Sequence, residues 1–206
     1  MRRSLFLFAL LLLGCTGLFF RSGRDYFPLV RGSLWKYHDG RDTCYVEVAG
    51  DSLIGGRTCV VVTTDFVPGF WLKPTPEAEV RRWFRRTLLR GGTEYVLEQR
   101  YGLVYRLPLV TGSSWQDQFA DTVIILGADT LHYFRRLEAR VAGVEDLTLA
   151  AGRFEECYRL EFTETVRAED SSTVNWTEWL APGVGLVRRR TGGSEIELVE
   201  YRVGPD

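Results

Sequence analysis

Histidine and asparagine are nearly missing from this chain: His38 and His132 are the two histidines among 206 residues, and Asn175 is the single asparagine. Two imidazoles so far apart in sequence are thin material for acid–base chemistry or for a metal site. Four cysteines, Cys15, Cys44, Cys59 and Cys157, stand at spacings that match no zinc pattern. An excess of one charge is missing too, since 26 Lys and Arg face 27 Asp and Glu. That balance gives no reason to expect nucleic acid as a partner. Helical stripes are missing as well, and Ala181-Pro182-Gly183-Val184-Gly185 has neither the spacing nor the following helix of a dinucleotide loop. No cofactor and no metal ion is expected. What is there, 45% hydrophobic and 26% charged residues, is the composition of an ordinary globular domain.

The one long apolar run lies at the N-terminus. Arg2 and Arg3 precede an unbroken stretch from Leu5 to Leu13, then Gly14 and Cys15. A short basic segment, an apolar run too brief to span a bilayer comfortably and a small residue at the processing point read as a secretory signal. Leu12-Leu13-Gly14-Cys15 resembles the lipobox of bacterial lipoproteins, which implies cleavage before Cys15 and a lipid on that cysteine. An uncleaved anchor running on through Leu18, Phe19 and Phe20 is the alternative. The expected division is 1–14 signal peptide, 15–25 lipidated anchor and tether, and 26–206 a single domain outside the cytoplasm. In a cell with two membranes, Thr16 after the lipidated cysteine points to the outer membrane by resemblance to lipoprotein sorting. Three cysteines would then remain, an odd number that permits at most one internal disulfide.

From residue 33 onward the pattern has period two. Cys44, Val46 and Val48 share a face, and Arg57–Phe66 follows after Gly55-Gly56, which reads as a β-hairpin. The clearest strand runs through Phe154, Glu156, Tyr158, Leu160 and Phe162, with Cys157 in the polar row. Further strands are expected near 80–89, 94–106, 132–142, 173–180, 184–190 and 195–203, with one helical turn at Thr75–Glu79. The fold expected is all-β: a single long, curved antiparallel sheet forming a half-open barrel. An internal echo supports it. Pro28-Leu-Val-Arg-Gly-Ser-Leu-Trp35 recurs as Pro108-Leu-Val-Thr-Gly-Ser-Ser-Trp115, six of eight positions identical. Proline ends a strand, glycine permits a turn and tryptophan restarts a strand in the core.

Gly50-Asp51-Ser52-Leu53 carries the tag of a class of serine esterases, and Asp129 and His132 supply the Asp-x-x-His of such enzymes. Those enzymes place the serine at a strand-to-helix turn and need an asparagine block, whereas Ser52 approaches a hairpin turn and no helix follows. The catalytic trio Ser52, Asp129 and His132 is therefore the weaker alternative, and no catalytic residue is expected. Arg81-Arg-Trp-Phe-Arg-Arg86 is the most unusual local feature. As a strand it sets Arg81, Trp83 and Arg85 against Arg82, Phe84 and Arg86. It reads as an edge strand guarded by charge, or as an anion site for a lipid headgroup built by Arg82, Arg85 and Trp83. Trp71 lies in a proline-rich loop that would gate one end of the sheet. Trp176 shares a face with Val174 and Leu180 and reads as core, while Trp179, on the opposite face, is a candidate groove residue.

Tyr26-Phe-Pro-Leu-Val-Arg-Gly-Ser-Leu-Trp-Lys-Tyr37, Leu149-Ala-Ala-Gly-Arg-Phe-Glu-Glu-Cys-Tyr-Arg-Leu160 and Thr177-Glu-Trp-Leu-Ala-Pro-Gly-Val-Gly-Leu-Val-Arg-Arg189 resemble, in order and spacing, three signatures of a group of bacterial secreted lipoproteins. The group brings no established activity with it. Its sheet is similar to the half-open barrels of periplasmic proteins that handle lipids or lipoproteins, including lipoprotein-localisation carriers. The resemblance implies a membrane-anchored, non-enzymatic module that binds an amphiphilic ligand or an envelope protein, or else a purely structural envelope module.

Overall fold

The computed structural model describes residues 25–65, 67–73, 79–126 and 129–204, with backbone alone over 120–126 and at 129. The expected signal peptide, Cys15 and most of the expected helical turn at Thr75–Glu79 lie outside them.

The described residues form twelve strands in one sheet: β1 (Leu34–His38), β2 (Thr43–Ile54), β3 (Arg57–Thr64), β4 (Val67–Leu72), β5 (Val80–Arg90), β6 (Thr93–Tyr105), β7 (Ser114–Leu126), β8 (Asp129–Leu149), β9 (Gly152–Arg167), β10 (Ser171–Ala181), β11 (Gly185–Thr191) and β12 (Ser194–Arg202). Every ladder is antiparallel, in the order β6-β5-β4-β3-β2-β1-β12-β11-β10-β9-β8-β7. Sequence neighbours pair throughout except β6 and β7, and the first strand pairs with the last. The result is a meander curled into a nearly closed barrel, the all-β architecture expected.

The gap in the ladder between β6 and β7 is bridged by side chains. The Asp117 carboxylate accepts from the Leu103 amide at 3.1 Å and from Arg100 at 3.0 and 2.6 Å, and Trp115 Nε1 donates to the Val104 carbonyl at 2.9 Å. Gly102 makes this approach possible. A Cβ there would stand 2.8 Å from Asp117 Oδ2 and 2.8 Å from Phe84. The seam therefore leaves less of an edge for another chain to pair with.

The two echoed octapeptides are one structure used twice. Gly32 N donates to Val48 O at 2.9 Å and Gly112 N to Val141 O at 2.8 Å. Val48 N returns to Ser33 O at 3.0 Å and Val141 N to Ser113 O at 2.9 Å. Gly32 and Gly112 hold φ of 83° and 85°, a conformation that favours glycine. Trp35 and Trp115 then enter the core at 5% and 6% exposure, and Trp35 Nε1 donates to Val184 O at 2.7 Å.

Three sequence expectations are corrected. Val67–Leu72 is strand β4 rather than a loop. It pairs with β3 along five positions but with β5 at only Trp71 and Leu72, so Pro68 lies in the part of β4 that has a neighbour on one side alone, as strand prolines favour. Cys157 is fully buried, not in a polar row, because Glu156 at φ 56° and a register shift opposite Glu145–Leu147 reset the strand's phase. Arg81–Arg86 is not an edge strand at its start, since Arg81 and Arg82 are paired on both sides. From Trp83 on, β5 pairs with β6 alone. Cys44, Cys59 and Cys157 are all free thiols.

Candidate functional site

Antiparallel strands of period two give the barrel an inner wall, and the inner residues do not fill it. A cavity of about 800 Å³ remains, within the size range of small-molecule sites. Phe27, Pro28 and Val184 line one end of it. There the segment before β1 stands across the barrel. Asp25 forms an ion pair with Lys73, whose Nζ also donates to the Phe27 carbonyl at 2.7 Å. The Phe27 ring rests against Trp71 and Tyr105 at 5.1 and 5.0 Å. At the opposite end the lining includes Val67 and Val174, which are 69% and 44% exposed, so the cavity reaches the surface there.

The wall between is largely apolar and aromatic. Trp176 stacks flat on Phe162, with centroids 4.9 Å apart and planes 4° apart. Val46, Val62, Leu137, Leu186 and Ile196 complete much of the surface. Cys44 also faces the cavity, and burial first, then Asp65, pushes its thiol up to about 11, so it stays protonated.

Four arginines line the cavity: Arg82, Arg86, Arg135 and Arg189. Three are spent on carboxylates. Arg135, 1% exposed, donates from Nε to Glu164 at 2.6 Å and from Nη1 to Asp117 at 3.1 Å, with its guanidinium 3.9 Å from the Phe84 ring centroid. Arg86 reaches the same Glu164 at 3.0 Å. Arg189 holds Glu178 at 2.9 and 2.6 Å, and Glu178 also accepts from Tyr105 at 2.6 Å and Trp176 at 3.0 Å. Glu178 is the largest cause of the raised Arg189 pKa, and burial followed by the same carboxylate raises Tyr105.

Arg82 differs. Its guanidinium lies 5.5 Å from the Trp71 ring and has no carboxylate partner among the described residues. Burial, followed by the like charge of Arg189, lowers its pKa below the ordinary arginine value. By accessible surface the residue is nevertheless exposed.

The sequence candidates separate accordingly. Arg82 and Trp71 come together on paired positions of β4 and β5 and face the cavity. Arg85 points outward to Glu94 at 3.0 Å. Trp83 packs outside against Tyr101 and the Gly55 turn. Trp179 is 6% exposed, held between Arg188 and Arg190 with its Nε1 donating to Glu145 at 2.6 Å, while Trp176 takes the cavity position. Ser52 on β2 pairs with Cys59 on β3, whereas His132 lies exposed on β8, six strands from β2 in either direction around the barrel. The Asp129 side chain lies outside the described residues. Among the described residues no group of three or more His, Cys, Asp or Glu is placed to hold a metal ion. Sequence reading missed Arg189, Glu178 and Trp176 as cavity residues; the alternation Trp176, Glu178, Leu180 put them on one face but could not say that the face was hollow.

No family model and no curated protein matches the chain. Among solved structures it is similar to a protein of Parabacteroides distasonis described as a lipoprotein, at 13% identity and a TM-score of 0.45, covering 86% of this chain and 98% of that one. A Bacteroides fragilis protein described as exported, with a YmcC-like fold, gives 11% identity and a TM-score of 0.44 over 85% and 98%. A likeness at this level carries nothing about binding or activity to this chain.

Proposed function

We propose that this protein is an extracytoplasmic module, lipid-anchored to a bacterial membrane (the outer membrane, on its periplasmic side, in a cell with two), that binds an apolar or amphiphilic ligand inside its barrel and does no chemistry on it. The anchor is the lipid on Cys15, joined to the barrel by residues 16–24. The observation that carries the reading is the cavity itself: about 800 Å³ walled by aromatic and aliphatic side chains, floored by Phe27 and open at the other end. A barrel whose sole task was structural would gain by filling that volume, since apolar burial contributes about 25 cal/mol per Å². The wide separation of Ser52 from His132 favours binding over ester hydrolysis.

Native mass spectrometry of residues 22–206, purified gently from cells, tests the proposal. A retained lipid-sized mass is the expected result. A clean unliganded mass that persists after incubation with envelope lipids would instead favour a structural module. Hydrolysis of any ester that is lost on Ser52→Ala would return the protein to the esterases.

A further inference from the structure

The cavity's polar groups are not randomly spent, and the pattern names a headgroup. Two of its tryptophans donate their indole N–H to protein acceptors, Trp35 to Val184 O at 2.7 Å and Trp176 to Glu178 at 3.0 Å. Arg86, Arg135 and Arg189 are committed to Glu164 and Glu178. Asp65, the remaining carboxylate of the lining, accepts from the Tyr45 amide at 2.8 Å. Two strong donors without such partners are neighbours. Trp71 and Arg82 are directly paired across β4 and β5 and stand in cation–π contact, and neither the indole N–H nor the guanidinium has an acceptor among the described residues. Gly69 keeps the space beside them open, since a Cβ there would lie 3.1 Å from Trp71 Nε1 and 3.8 Å from Arg82 Nε. Four arginines against three carboxylates leave the lining one positive charge in excess.

We propose that the ligand is an anionic amphiphile whose carboxylate or phosphate oxygens accept from Arg82 and from Trp71 Nε1, with its tail along the wall of Trp176, Leu186 and Val62. This rests on the reading of the cavity as a ligand site and narrows it to a charge class. A planar guanidinium beside an N–H matches a headgroup with two or more acceptor oxygens. A neutral oxygen would accept from these donors without the added strength of charge, and a cationic head would meet the unpaired charge of Arg82 with like charge.

The test is photolabelling of the full chain in phosphatidylcholine nanodiscs with diazirine analogues of dodecanoate, dodecyl phosphate and dodecanol. Saturable labelling is expected on peptides bearing Trp71 or Trp176. In Arg82→Gln the half-saturating concentration of the anions should rise about tenfold, as for loss of a charged hydrogen bond. That of dodecanol should move less than about twofold. Trp71→Phe keeps the ring and should raise the anions' value by a smaller factor, roughly threefold, the low end for one neutral donor. Arg85→Gln, on the outer face, should change none of them. Stronger labelling by the carboxylate identifies a fatty-acid-like ligand, and stronger labelling by the phosphate a phospholipid-derived one. Anion labelling that is unmoved in Arg82→Gln would overturn the headgroup assignment while leaving the cavity reading intact. No saturable labelling by any of the three would overturn both.

Discussion

Around Arg135 the inner wall is a closed knot of charge. Arg86, Arg100 and Arg135 meet Glu98, Asp117 and Glu164, with Tyr133 donating to Glu98 at 2.9 Å. Three positive groups face three negative ones, and the knot ties the β6–β7 seam to β8 and β9. Around Arg82, four residues before Arg86 in β5, the same residue type has a ring beside it and no carboxylate partner among the described residues. The contrast separates two uses of an arginine on the inner wall. A satisfied, buried one costs desolvation and returns geometry; an unpaired, exposed one at the cavity is open to an acceptor from outside.

Predictions that sharpen the contrast run from the knot outward. Arg135→Gln should cost about 3–5 kcal/mol, because it removes the fully buried charge at the centre of the knot and leaves Glu98, Asp117 and Glu164 with only Arg86 and Arg100 between them; urea unfolding midpoints measure it. Glu178→Gln should cost roughly 1.5–3 kcal/mol through its weakened bonds to Arg189 and neighbours. The twin corners should behave as twins: Trp35→Phe and Trp115→Phe should each lose about 1 kcal/mol, the worth of one hydrogen bond. A large inequality would mean that one corner bears more of the fold than the other.

Acid should act on the knot and not on Arg82. Burial alone would raise Asp117, but hydrogen bonds from Arg100 and the Leu103 amide outweigh it and hold its folded pKa below the usual aspartate range. Asp117 therefore contributes stability that is present above its unfolded pKa and is lost as pH falls through the folded one. The stability gap between the parent and Asp117→Asn should be full at neutral pH and shrink below about pH 4. The smallest effect belongs to Arg82→Gln, which should shift stability by no more than about 0.5 kcal/mol, because it breaks no pair. A loss comparable to that of Arg135→Gln would end the distinction between the two arginines.

Much of the barrel was legible in advance because period-two alternation and paired glycines are local signals. The Gly55-Gly56 hairpin and the repeated Pro-to-Trp corners needed only a few consecutive residues. What escaped depends on irregularities or on distant partners. Cys157 was assigned to the wrong row because a bulge at Glu156 breaks the alternation without leaving a proline or glycine to mark it. Trp176 and Trp179 were assigned to opposite faces correctly, but which face was hollow depends on Arg188, Arg190 and Glu145 covering Trp179 from other strands. Arg82 was singled out by its neighbours in sequence, while its significance lies in the carboxylates it does not meet, and no stretch of sequence displays that.

The most direct test of the central claim is calorimetric titration of the protein with dodecanoate, beside a Val62→Trp variant whose added ring occupies the cavity. The account predicts one-to-one binding by the parent and loss of binding by the variant at unchanged stability. Equal binding by both would place any ligand outside the barrel and contradict it.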